Sequence, residues 1–215
     1  MADRSTAPAY SRAERRADAV VHVVGLIFAA LGAPALIWAA SRGGDRATVA
    51  AVAVYAATMV AMFAFSACYH MIALPGWRDL LRRLDHAGIY LKIAGTYTPF
   101  AAISLSSGAG PRLLAGVWTV AAIGCAVKVA APRRFEIASI ALYLALGWAV
   151  LFVADEAVAV LPPATLALMT AGGVLYTIGV VFHLWDALPY QNAIWHLHVL
   201  IATACFYAAV MIEVV

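Results

Sequence analysis

Long apolar runs, separated by short clusters of polar residues, glycine and proline, repeat along nearly the whole chain. Seven of them stand out, at residues 18–40, 47–73, 86–106, 113–131, 136–154, 164–185 and 192–214. Each has roughly the 20 residues that a helix needs to cross the hydrocarbon of a bilayer. Inside hydrocarbon the backbone must satisfy its own hydrogen bonds, which leaves helices or closed barrels. Runs this long, with no alternation of apolar and polar positions, are helices. The pattern predicts an all-α fold, a seven-transmembrane helix bundle over residues 18–215, with a short polar tail at 1–17. The tail does not read as a cleavable signal peptide, because the apolar run after it is too long and no small-residue cleavage site closes it.

The connections are short: SRGGDR, PGWRDLLRR, SSGAGPR, PRRF, the acidic DEAVAVLPP and DALPYQ. No domain linker and no internal repeat interrupts the series, which argues against an inverted-repeat transporter. Within the runs, stretches such as GLIFAALGAPA and TAGGVLYTIG are rich in small residues that let membrane helices approach closely. Pro34 and Pro99 are expected to kink their helices. Composition agrees: of 215 residues 65% are hydrophobic and only 12% charged, with a mean hydropathy of +0.91. Ordinary soluble domains carry about a quarter charged residues.

Basic residues near the span ends set the expected orientation. One side collects Arg4, Arg12, Arg15, Arg16, Arg78, Arg82, Arg83, Lys128, Arg133 and Arg134, and the other only Arg42, Arg46 and Arg112. The N-terminus is therefore expected in the cytoplasm and the C-terminus outside. The net charge of +3 is absorbed by this bias and implies no nucleic-acid partner. Cys68, Cys125 and Cys205 fall inside spans without metal-type spacing and read as packing residues.

Under that orientation His22, His70, His86, His183, His196 and His198 all fall at the cytoplasmic edge. Ionisable groups in or near membrane spans are costly and mark functional sites by default. The second run closes with Ser66 and His70, four apart on one helical face. The third opens with Asp85 and His86, and the seventh with Asn192, His196 and His198. Imidazole and carboxylate are zinc ligands, and a catalytic zinc needs three of them plus a water. His70, His196 and Asp85 are candidates for that set. Residues four apart project ~40° from one another and residues two apart ~200°, so Asn192 shares the face of His196 and His198 does not. His86, ~100° round from Asp85, is a less favoured ligand. Asp18 and His22, four apart, suit a carboxylate that orients an imidazole, and His183 is a further supporting candidate. Lys92, two turns deeper than Asp85, either snorkels or lines a polar pocket that meets a lipid headgroup or product carboxylate.

The segments FSACYH, LDHAGIYLKIAGTYTPF and NAIWHLHVL, in this order, resemble the hemolysin III family, bacterial members of the progestin and adipoQ receptor superfamily. The resemblance runs through essentially the whole chain. It implies seven spans, a cytoplasmic N-terminus and a zinc site, whose matched positions here are Ser66, His70, Asp85 and His196. One position departs: Asn192 stands where the family has the first histidine of its seventh-span pair. An amide oxygen is a weak zinc ligand, so altered coordination or lower affinity is expected there. The resemblance also links the chain to alkaline ceramidases.

Three functions follow as expectations, in this order. The first is a zinc-dependent hydrolase of a lipid amide or ester, with Asp85 handling the water proton and Ser66 donating to the oxyanion. The second is a non-enzymatic sensor of membrane state with a structural metal. The third is a pore, for which the chain lacks polar stripes running the length of several spans. In each case the expected partner is membrane lipid and the expected location the inner (plasma) membrane.

Overall fold

The computed structural model describes residues 10–72, 76–106, 108–131 and 135–215. Arg4, Arg133 and Arg134, used above for orientation, lie outside them. The described residues form helices and no strand: α1 (Arg12–Gly43), α2 (Arg46–Met71), α3 (Arg78–Ile103), α4 (Gly110–Ala130), α5 (Glu136–Gly147), a 3-10 turn (Ala149–Val153), α6 (Ala154–Val160), α7 (Pro163–Leu184) and α8 (Gln191–Val214). Among them six stretches are long and apolar enough to cross a membrane: α1, α2, α4, the continuous Glu136–Val160 segment, α7 and α8. α3 is as long as α2, but Arg82, Arg83, Asp85, His86 and Lys92 dilute its apolar character. Large apolar side chains point outward, with Phe152 88% exposed and Ile137 81%. A water-soluble protein rarely leaves so much apolar surface uncovered. The protein is a multi-pass membrane protein.

Local chemistry explains where the helices begin. Ser11 caps α1 reciprocally with Glu14: the Ser11 Oγ accepts from the Glu14 amide at 3.2 Å, and Glu14 Oε2 accepts from the Ser11 amide at 2.7 Å. Such a box satisfies two of the orphan donors of a first turn. α1 thus starts within the stretch read as a polar tail. Asp45 caps α2 by accepting from the Thr48 amide at 2.8 Å. The free carboxylate oxygen of Glu14 accepts from the Tyr190 amide at 3.0 Å, and Tyr10 donates to Gln191 at 2.9 Å. Tyr190, the residue before α8, has a left-handed backbone with φ of 60°. These bonds hold it in a conformation that costs energy for a residue with a side chain.

Those contacts pin the start of α1 to the start of α8. Helices then neighbour one another in the order α4, α3, α2, α1, α8, α7, with α5 against α3 and α7, the 3-10 turn against α4, and α6 against α7. The main core forms where α1, α2, α3 and α8 meet, around Leu36, Tyr55, Met59, Phe63, Phe100 and Val210. Close approach demands small residues: a Cβ on Gly25 of α1 would sit 2.7 Å from the Phe63 ring of α2. Pro34 and Pro99 lie inside α1 and α3, both of which run through them. Cys68, Cys125 and Cys205 are free thiols.

The fifth apolar run differs from the single uninterrupted helix expected at 136–154. α5 stops at Gly147, and a 3-10 turn leads into α6. The cause is a side chain inserted from α3. The Tyr97 hydroxyl lies 3.0 Å from the Leu146 and Gly147 carbonyls and accepts from the Val150 amide at 3.0 Å. It takes over groups that an unbroken helix would pair internally, a recognised cause of kinks.

Candidate metal centre

Three imidazoles meet where α1, α2 and α8 converge. His22, His70 and His196 each offer a ring nitrogen, and these atoms all lie within 4.8 Å of one another. Ring centroids are 4.4 Å apart for His22 and His196, 4.5 Å for His70 and His196, and 5.2 Å for His22 and His70. Nitrogens bound to one tetrahedral ion stand ~3.4 Å apart, a separation that falls inside the 4.8 Å limit.

Asp18 organises the three rings. Its Oδ1 lies 2.6 Å from His196 Nδ1, its Oδ2 3.5 Å from His70 Nδ1, and its backbone carbonyl 2.8 Å from His22 Nδ1. In each case an acceptor faces Nδ1. A proton placed there by the acceptor leaves the Nε2 lone pair as the free one. An oxygen that orients an imidazole through its second nitrogen is the usual outer support of a histidine ligand. The donor set therefore fits a metal: the His22, His70, His196 and Asp18 group can hold one.

Asp85, at the start of α3, brings its carboxylate to 3.8 Å from His70 Nε2. Ser66, one turn before His70 on α2, has its hydroxyl 3.3 Å from His22 Nε2. Ser66, His70, Asp85 and His196 are thus in one place, joined by Asp18 and His22 from α1. From their spacing Asp18 and His22 are expected as outer support, whereas His22 supplies one of the three clustered nitrogens and Asp18 reaches all three rings. The available signal was their four-residue spacing at a helix start.

The remaining candidates separate from this group. Asn192 lines the same cavity. His198 Nδ1 binds the Ile194 carbonyl at 2.8 Å, and its ring packs on Phe182 of α7 at 4.9 Å. The His183 ring lies tilted against Trp195, centroids 5.0 Å apart, and its carbonyl accepts from Gln191 at 2.7 Å. His86 turns toward α4 and α5, where its carbonyl accepts from Tyr143 at 3.0 Å. Lys92 is buried, donates to Thr96 Oγ1 at 2.7 Å and lies 4.4 Å from the centre of the Tyr55 ring.

The group stands at one end of a cavity of about 750 Å³, within the range of small-molecule sites. The cavity passes Lys92, Thr96 and Tyr97 and continues between α5, α7 and α8 to Trp148, Tyr176 and Phe206. Its far part is lined mainly by apolar and aromatic side chains, while titratable groups gather at the histidine end.

The chain has known relatives in sequence. The family described as Haemolysin-III related matches residues 11–207. "Hemolysin-3" of Bacillus cereus is 39% identical over 201 residues, covering 94% of this chain and 92% of that protein. The "Hemolysin-3 homolog" of Bacillus subtilis (strain 168) is 32% identical over 201 residues, covering 92% and 93%. The human "Monocyte to macrophage differentiation factor" is 26% identical over 166 residues, covering 73% of this chain and 67% of its own length. No solved structure gives a significant match. With nearly its whole length matched and the histidine-bearing helices inside the match, the chain belongs to the Haemolysin-III related family.

Proposed function

We propose that the protein is a zinc-dependent intramembrane hydrolase of a lipid amide or ester in the plasma membrane. The observation that carries this reading is three oriented imidazoles and a nearby carboxylate at the polar end of an otherwise apolar cavity. In this reading α3 is the seventh crossing, its polar face turned inward, and the N-terminus is cytoplasmic, as the arginine bias requires.

His22, His70 and His196 would hold the zinc, with Asp18 fixing their rings. A bound zinc supplies Lewis acidity, polarising a carbonyl and lowering the pKa of water toward ~7. Asp85, beside His70, is placed to take the proton of the attacking water on its carboxylate and to return it to the leaving amine or alcohol. Ser66 donates its hydroxyl to the oxygen that gains charge as the carbonyl is attacked. The apolar length of the cavity takes the acyl chain and excludes water. Lys92 and Thr96 give that cavity one deep polar point that meets a headgroup or a product carboxylate. The test is zinc content and fatty-acid release by the purified protein, against His70→Ala and Asp85→Asn. Loss of zinc in the first and of turnover in both is expected; retention of both properties in both variants overturns the reading.

A second reading has one specific observation in its favour. The clustered nitrogens come from α1, α2 and α8, so a metal there would staple the first and last helices of the bundle. In that case the protein is a sensor of membrane state, and chelation lowers its melting temperature without any turnover to lose.

A further inference from the structure

Asp85 faces the histidine group, whereas the next residue, His86, lies ~100° further round α3 and looks toward α4 and α5. There Arg82, His86, Lys128 and Glu136 line another part of the cavity wall. Lys128 is only 2% exposed. Arg82 Nη1 reaches Glu136 Oε1 at 3.5 Å, longer than a strong charge-assisted bond. Arg82 Nη2 and His86 Nδ1 are buried and have no hydrogen-bond partner among the described residues. Among the described residues two permanent cations therefore share the carboxylate of Glu136, and two buried polar nitrogens have no hydrogen-bond partner. Buried polar groups are ordinarily satisfied, and each exception calls for a physical explanation.

We propose that Arg82, His86 and Lys128 form an anion site, separate from the histidine group, that takes a phosphate group. The guanidinium fork matches phosphate oxygens in shape as well as charge. A tetrahedral phosphate offers an oxygen to each of the three side chains, where a carboxylate offers only two. Basic pockets between membrane helices are also where anionic headgroups seat. Lys128 in the last turn of α4 also complements the carbonyl end of that helix, but this role leaves Arg82 Nη2 and His86 Nδ1 unused. The phosphate belongs either to an anionic phospholipid or to free phosphate, which present the same chemistry. The site requires neither zinc nor turnover at the histidine group.

The experiment uses the full-length protein in neutral phosphatidylcholine nanodiscs, titrated with phosphatidylglycerol or with inorganic phosphate while its melting temperature is followed. A saturable rise is expected with at least one of them. Displacement of phosphatidylglycerol by inorganic phosphate identifies the free ion as ligand, and a response to the lipid alone identifies the headgroup. Arg82→Gln combined with Lys128→Met should weaken binding at least tenfold. Arg83→Gln, at a half-buried arginine that donates to the Val129 carbonyl, should leave it unchanged, as should His70→Ala. Should the double variant fail to fold, Glu136→Gln decides: removing the competing carboxylate should tighten binding. No response to either ligand, an undiminished response in a folded double variant, or weaker binding in Glu136→Gln overturns the proposal.

Discussion

Asp18 Oδ1 lies 2.6 Å from His196 Nδ1, across 178 residues of sequence, and joins the first helix of the chain to the last. The same carboxylate faces His70 with its other oxygen, and its backbone carbonyl holds His22. One residue thus sets the orientation of three rings on three helices.

Asp18→Asn keeps the size of this hub and removes its charge. Outer supports of metal-bound histidines typically contribute 10–100-fold to affinity. The expected outcome is a loss of that order in zinc affinity, measured by competition with a chromogenic chelator. An unchanged affinity would show that the carboxylate does not support the ligands.

His22 and His198 are both histidines near the same membrane edge, yet only His22 belongs to the cluster. His22→Ala should empty the site in elemental analysis, and His198→Ala should leave the metal content intact. Asn192 stands one turn before His196 on α8 and lines the cavity. Adding Asn192→His to His22→Ala should restore part of the lost metal, because an imidazole there shares the face of His196. Equal loss in His22→Ala and His198→Ala would contradict this geometry.

Tyr97→Phe removes the hydroxyl that occupies the break between α5 and the 3-10 turn. The Val150 amide and two carbonyls then lose a partner in a site that water reaches poorly. A cost of ~1–3 kcal/mol is expected, seen as a lower melting temperature in detergent. A melting temperature equal to that of the parent protein would mean the helix heals the break by itself.

Asp45, in the turn between α1 and α2, has its pKa held below the ordinary carboxylate value by the hydrogen bond from the Thr48 amide. A carboxyl group with a depressed folded pKa adds stability above its unfolded pKa of about 4, and that contribution fades as pH falls through the folded value. The melting temperature of the parent should therefore drop more steeply below pH 4 than that of Asp45→Asn, which caps without titrating. Parallel curves for the two proteins would remove Asp45 as a source of acid sensitivity.

Much of the bundle was readable in advance because apolar runs of bilayer length leave the backbone no choice but to pair with itself. The capping box of Ser11 and Glu14 and the cap by Asp45 are equally local, but reading residues 1–17 as a polar tail and SRGGDR as a bare connection misses them. Helix arithmetic likewise separates the face of His196 from that of His198, since it needs only the 3.6-residue period. The break after Gly147 was not readable: nothing within residues 136–154 announces it, and its cause, Tyr97, is on another helix.

From the sequence alone came the helical class, the apolar spans, the arginine asymmetry and a set of titratable residues near span ends, all consequences of local composition and period. The tertiary structure decided which of those residues meet. Asp18 and His22 reach His70 and His196 because α1 lies between α2 and α8, an arrangement secured by Glu14 with Tyr190 and by Tyr10 with Gln191. Helix adjacency depends on packing between faces far apart in the chain, and no short-range pattern encodes it. Lys92 ended buried against Tyr55 of α2, and His86 beside Lys128 of α4, for the same reason: these partners are chosen by the helix opposite.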